Sequence, residues 1–499
     1  MKIQPVHMVL IAVMTTVVSG QPPKSSSLGI FDNHNDIGQV QHKGWASYDA
    51  QDNTYTVSGS GTDIGSRTDE FHFIWKKTSG NISLSALIEM MGEDTDPHRK
   101  ASLMIRQNLE PDAPYVNVTL QGNGLTAMQF RETKGGLSRE IRCKDRAPDK
   151  IQIRKVGDYY TMYTGYSQNK MEIAGGSLRL PLKSPFYIGL GVCSHNREVL
   201  ETMKFKNVVF ERNLAPINTV TKVESSLEIL DIVSLDRSEV YHTQSHIEAP
   251  NWTPDGKYLI YNSEGLLYKM NIANGVQEQI PTGFAHRINN DHGLSPDGTQ
   301  IVISDETETG NSMIYSLPIE GGDPKKITSK APSYWHGWSP DGKTLAYCAE
   351  RRGNYDIYTI PFEGGKEIRL TSAKGLDDGP DYSPDGQYIY FNSTRTGTMQ
   401  IWRMKPDGTD QEQVTTDAYN DWFAHPSPDG KWIAYVTFGT DVPAGAHPPN
   451  KDVMLRLMDL KTKEVTVLAK LFGGQGTINV PSWSPDSKKL AFVSYHPVK

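Results

Sequence analysis

A tetrapeptide of the form Ser-Pro-Asp-Gly recurs through the second half of the chain. It appears as Thr253-Pro254-Asp255-Gly256, Ser295 to Gly298, Ser339 to Gly342, Ser383 to Gly386, Ser427 to Gly430 and Ser484-Pro485-Asp486-Ser487. Successive copies begin 42, 44, 44, 44 and 57 residues apart, and self-similarity at such a period marks a repeat architecture in which each unit is one sheet of a propeller. Pro presets φ at the second turn position, Asp bonds nearby backbone and Gly closes the turn, so each copy reads as a type I turn between adjacent strands. Apolar runs resume in register after each turn, as Tyr258 to Tyr261, Ile301 to Ile303, Leu345 to Tyr347, Tyr388 to Phe391 and Trp432 to Tyr435, and are expected to fill the sheet cores. An Asp that appears in all six copies is expected to be turn chemistry, not an acid or a ligand.

The repeat region opens with a displaced piece. Ile229-Leu230-Asp231-Ile232, a turn at Asp236-Arg237 and then Glu239-Val240-Tyr241 copy the second half of a repeat, as in Ile314 to Leu317 followed by Lys326-Ile327-Thr328. The last repeat stops after Leu490-Ala491-Phe492-Val493. The half-repeat is therefore expected to supply the outer strands of the last sheet, which joins first and last strands and removes an exposed edge. Six blades over residues 225–499 are the expectation.

Before the repeats, residues 28–212 alternate short apolar-polar runs with turn residues. In Glu70 to Trp75 the rings of Phe71, Phe73 and Trp75 fall on one face. Similar runs at Ile82 to Glu89, Ala101 to Arg106, Tyr115 to Leu120, Leu125 to Arg131, Ile151 to Val156, Tyr159 to Tyr163, Phe186 to Val192 and Met203 to Phe210 point to a β-sandwich of jelly-roll type. The whole is expected to be all-β: a jelly-roll-type sandwich at 28–212, a polar linker at 213–224, and a six-bladed propeller closed by the half-repeat.

Lys2, the short apolar stretch Met8 to Val18 and the small residues Val18-Ser19-Gly20 read as an export signal over 1–20, followed by a polar leader at 21–27. The apolar stretch is too short to favour a spanning helix, so a periplasmic or secreted protein without a stable transmembrane anchor is expected. A formal charge of −7 supplies no basic field for nucleic acid. Three cysteines, Cys143, Cys193 and Cys348, form no disulfide framework and no zinc spacing. One pairing is open, Cys143 with Cys193, while Cys348 in an apolar strand reads as a buried small hydrophobe.

The combination of Trp-Ser-Pro-Asp-Gly, Leu-Ala-Tyr and Asp356-Ile357-Tyr358 with its Gly-Gly turn resembles the TolB-like propellers built of WD40-like PD40 repeats, over essentially all of 225–499. The stretches at 31–38, 69–77, 96–107 and 112–131 resemble the concanavalin-like sandwich that precedes such propellers in some exported proteins, and that resemblance implies carbohydrate. Trp45, Trp75, His98, Arg99 and Arg106 are the residues to inspect for a sugar site; the competing reading makes Trp75 core and His98 and Arg99 the end of a strand. Oligopeptidase propellers carry similar repeats but need a hydrolase domain, and no Gly-x-Ser-x-Gly elbow occurs.

Chemistry is sought just before each tetrapeptide, where the copies differ. Three residues upstream stand Pro250, His292, His336, Pro380, Ala424 and Pro481, with His425 one position on; five upstream stand Glu248, Asn290, Tyr334, Asp378, Trp422 and Asn479. With the neighbours Asp291, Trp335 and Asp377, these are expected to ring the propeller mouth, because the strand that holds them runs nearest the axis. One reading is a binding mouth for a glycan or an envelope protein, with Glu248, Asp291, His292, Tyr334, Trp335, His336, Asp377, Asp378, Trp422 and His425 as its ligand-binding set. Another is a divalent metal on His292, His336 and His425 serving a polysaccharide lyase or hydrolase, a chemistry implied by a resemblance to oligogalacturonate lyases. That resemblance is loose, since Gln244 and His246 only approximate their Gln-His cluster. A third is an envelope scaffold of TolB type. The insertion Phe438 to Asp452, with His447 and three prolines, is either a rim over the site or a tolerated surface loop.

Overall fold

The computed structural model describes residues 27–92, 96–166, 169–216 and 222–498. The export signal and most of the polar leader lie outside the described residues, as does part of the linker. Apart from the 3-10 turn Gln475–Thr477, the described chain is built of strands.

The repeat region forms five separate four-stranded antiparallel sheets. Their inner strands are Ile247–Trp252, Ile288–Leu294, Ser333–Trp338, Asp377–Tyr382 and Asn420–Pro426. Each tetrapeptide closes the hairpin to the next strand out. In all six copies the Ser or Thr hydroxyl donates to the Asp carboxylate at 2.6 to 2.7 Å, and the fourth residue's N–H returns to the first carbonyl. The fourth residue needs a left-handed φ, near +70° in the five copies where it is Gly and +60° at Ser487, which explains the preference for Gly. The tetrapeptide Asp is thus turn chemistry, as expected.

Five of the six expected blades are separate sheets, and the strands of the last repeat do not stand alone. Lys489–Val498 pairs along its whole length with Lys222–Asp231, which pairs with Arg237–Thr243. The half-repeat therefore does close onto the end of the chain. Arg237 and Ser238 then pair in parallel with Ile141 and Arg142 of the strand Arg139–Arg146. One ten-stranded sheet results, seven of its strands from the N-terminal half. The free outer edge that a last blade would present is covered by another strand, which removes a template for intermolecular pairing.

The other N-terminal strands form a second, seven-stranded sheet running from Glu172–Arg179 to Trp45–Asp49. A single apolar core joins the two sheets: Leu103, Ile105, Val116, Met128 and Leu190 from the first meet Leu84, Ile151, Ile153, Met162 and Phe205 from the second. Alternation explains the sorting, since Ile74 enters this core while Phe71, Phe73 and Trp75 point to the opposite face and a smaller cluster with Met104, Tyr115 and Cys193. The same alternation corrects the possible cysteine pair. Cys143 lies in the core between the sheets and Cys193 in the cluster behind the first sheet, so the two thiols are on opposite sides of one sheet, and both are free.

Candidate functional site: the propeller mouth

Every inner strand of the five separate sheets carries a β-bulge. The register against the second strand shifts between Glu248 and Asn251, Ile288 and His292, Trp335 and Gly337, Asp378 and Asp381, and Trp422 and His425. A bulge adds a residue and re-aims the side chains beside it. At three of them the backbone turns left-handed, at Ala249, Gly379 and Phe423. A bulky residue with positive φ is a conformational outlier that persists only where the surroundings hold it, and Phe423 is held by its N–H donating to Asn392 Oδ1 at 2.9 Å.

Four of these strands border a cavity of about 530 Å³. The inner strands contribute Asn289, Asn290, Asp291, Tyr334, His336, Asp378 and Phe423; the second and third strands and their turns add Glu306, Cys348 and Tyr355. Gly445 and His447 come from the insertion, and Gln475 and Asn479 from the segment leading to the last tetrapeptide. The insertion is therefore part of the wall. Its Val442 enters the neighbouring core, and the His447 ring stands edge-on against Trp422 at 4.4 Å.

His336 is the centre of the polar floor. Its Nε2 lies 3.3 Å from Asp378 Oδ1 and 3.9 Å from Asp291 Oδ1, and its ring stacks on Phe423 at 5.7 Å. Burial opposes a charge on this imidazole, but Asp291 and Asp378 outweigh it and raise its pKa. Burial likewise opposes ionisation of Asp378, and here His336, His447 and the Gly379 N–H prevail, holding the carboxyl below its usual range. Asp291 goes the other way: burial pushes it up to about 6, against the pull of His336 and of the Asn479 amide, which donates at 2.6 Å. Two carboxylates with such different environments around one imidazole can hold one proton among three groups.

Of the ten residues expected at the mouth, four line the cavity: Asp291, Tyr334, His336 and Asp378. Glu248 sits just beside it, 3.2 Å from His246 and within 3.5 Å of Asn290. Five lie elsewhere, because alternation and the bulges together set which side chains face the cavity. His292, next to Asp291, is fully buried between strands, and burial lowers it to about 4 against the pull of the backbone at Asn289, Ile260 and Ala249. Trp335, between Tyr334 and His336, packs against Gly293, where a Cβ would stand 2.1 Å from its ring. Asp377 pairs with Arg395 at 2.9 Å, Trp422 is core, and His425 pairs with Asp381 at 3.1 Å away from the cavity lining. His292, His336 and His425 thus have separate surroundings, and among the described residues no three His, Cys, Asp or Glu side chains are placed to hold a metal ion. Glu306, Tyr355, Phe423 and Gln475 were not anticipated. Glu306 and Tyr355 lie outside the inner strands, and only the insertion's length hinted that residues far from the tetrapeptide reach the mouth.

The residues considered for a sugar site in the N-terminal half are engaged within the fold. Arg106 and Arg131 are fully buried around Asp69, Arg99 pairs with Glu201 at 2.9 Å, and Trp75 Nε1 donates to Asn35. Trp45 starts an outer strand, and His98 lies against the ring of His195.

Repeated four-stranded sheets around a polar, bulge-lined mouth define a β-propeller. The family model described as the TolB β-propeller domain matches residues 331–444. The uncharacterized protein Atu1656 of Agrobacterium fabrum is 52% identical over 278 residues, 56% of this chain and 94% of that protein. A solved candidate TolB from Agrobacterium tumefaciens is 52% identical, with 55% of this chain and 99% of that one covered at a TM-score of 0.54. TolB from Acinetobacter baumannii is 20% identical, with 50% and 64% covered and a TM-score of 0.41. The chain belongs to the TolB-like β-propeller family.

Proposed function

We propose that the chain is an exported, periplasmic binding protein of the cell envelope whose propeller mouth receives a segment of a partner protein. In this reading the propeller has six blades, the last assembled from the Trp483 bridge to Leu490 with Lys489–Val498, Lys222–Asp231 and Arg237–Thr243. The two N-terminal sheets are read as a concanavalin-like, jelly-roll-type sandwich mounted on that blade. The observation that carries the function is the mouth itself: a cavity of about 530 Å³ that gathers charged and aromatic side chains from four sheets and two loops. Concave sites with a few convergent polar groups and perturbed titration are where ligands bind.

Kinship with propellers described as TolB supports an envelope role with a protein partner. The internal engagement of Arg99, Arg106 and Trp75 favours a structural N-terminal half over a glycan-binding one. Among the described residues no helix is long and apolar enough to cross a membrane. A photo-crosslinking residue at Tyr355, in the mouth, and another at the exposed Val233 test the proposal in envelope extracts. One protein captured at Tyr355 and not at Val233 is expected. Glycan-array binding by the purified protein, with no capture at the mouth, would overturn it.

A further inference from the structure

Resting on the reading of the mouth as a partner site, we infer that its occupant inserts a basic side chain, a lysine ammonium or an arginine guanidinium, between Asp291 and Asp378. The first ground is charge. The lining holds Asp291, Asp378 and Glu306, and no Lys or Arg among the described residues that form it. Glu306 already has an outside partner, Arg287 at 2.8 Å, so the remaining carboxylates are at the floor, where Asp291 and Asp378 share the imidazole of His336 and His447 Nε2 lies 3.9 Å from Asp378 Oδ2.

The second ground is hydrogen-bond polarity. Asn479 is fully buried, and its amide nitrogen is committed to Asp291 Oδ1 at 2.6 Å and to the Asn290 carbonyl at 3.3 Å. That commitment fixes the orientation of the amide, and its Oδ1 is left without a partner. His336 turns Nε2 toward the carboxylates. A buried group without a partner is costly, and the Asn479 oxygen can only accept. A ligand rich in donors satisfies it, as an ammonium or guanidinium does, whereas a carboxylate has no donor to offer and meets two like charges.

The third ground is the wall. Phe423, Tyr334 and Tyr355 border the same space, and aromatic faces attract cations.

Titration calorimetry with four acetylated, amidated pentapeptides that differ only at the central residue (lysine, arginine, norleucine or glutamate) tests the inference on the full chain. The lysine or arginine peptide is expected to bind at least about tenfold tighter than norleucine, equivalent to about 1.4 kcal/mol, with glutamate weakest. Asp378→Asn and Asp291→Asn, each checked for an unchanged near-ultraviolet circular dichroism spectrum, should remove most of that preference. The peptide series on the unmodified protein keeps the test decisive if a variant misfolds. Norleucine or glutamate binding as tightly as lysine would overturn the basic-group inference and leave the mouth as a binding site. Binding of none at millimolar concentration would remove both.

Discussion

Adjacent residues at the mouth have opposite roles because a strand sends alternate side chains to opposite faces. Asp291 and Asp378 reach the cavity while His292 and Asp377 turn into the structure. Asp378→Asn removes one of the two carboxylates that raise the His336 pKa, so the imidazole should titrate lower in the variant, read by NMR of the His336 ring. His292 offers a stability test. Burial lowers its pKa to about 4 from an ordinary 6.5, so the unfolded chain binds the extra proton between those values and the folded state loses stability as pH falls from 6.5 toward 4. His496, lowered to about 3 by burial, contributes in the same direction. His292→Leu removes that buried titrating ring and should reduce the acid dependence in urea titrations from pH 7 to 4.5. A variant with the acid dependence of the native chain would show that the ring does not carry it.

The repeat turn is the element most legible in the sequence, because each bond in it is local. The Ser383 hydroxyl donates to Asp385 and accepts from the Tyr388 N–H at 2.9 Å. Ser383→Ala strips both from a buried position and should cost about 1 kcal/mol, seen as a lower denaturation midpoint with an unchanged m-value. The six turn aspartates are held below their ordinary pKa chiefly by these short bonds or, for Asp429, by them against its burial. Their contribution is present above the ordinary carboxylate range and lost as pH falls through it. The bulges, by contrast, were not legible. Residues such as Pro250, His292 and Ala424 mark where repeats differ, but a bulge is set by pairing with a strand some ten residues away, and no local pattern states the offset. That is why the upstream window located the mouth yet named only part of its lining, and why Phe423, lifted into the cavity by its left-handed backbone, was missed.

For the whole molecule, the continuous sheet is the main structural consequence. Lys222–Asp231 and Arg237–Thr243 bind the chain's end on one side and Arg139–Arg146 on the other. At that joint Glu228 takes two bonds from Arg237, at 2.6 and 2.8 Å, and one from Ser494, with Gly176 leaving room for its carboxylate. Tyr159 bonds Asp452, and Lys470 pairs with Glu132 at 3.1 Å, across the same contact. Burial raises the Glu228 pKa against the pull of Arg237. Arg237→Met would strand that carboxylate and should cost about 3 to 5 kcal/mol, while pairing it with Glu228→Gln should recover much of the loss. In urea the native chain should unfold in one transition, with the Arg237→Met chain showing two as the halves uncouple. Two transitions in the native protein would show that the shared sheet does not couple them.

The period of the repeat, the chemistry of its turns, the all-β class and the return of the half-repeat to the end of the chain follow from the order of residues, because each depends on local bonds or on periodicity. Which acids and imidazoles meet at the mouth, the isolation of His292 from His336 and His425, and the merging of the last repeat's strands with an N-terminal sheet depend on register and on edge-to-edge pairing between distant segments. Those are contacts of high sequence separation, decided by which faces and edges remain to be covered once the sheets have formed.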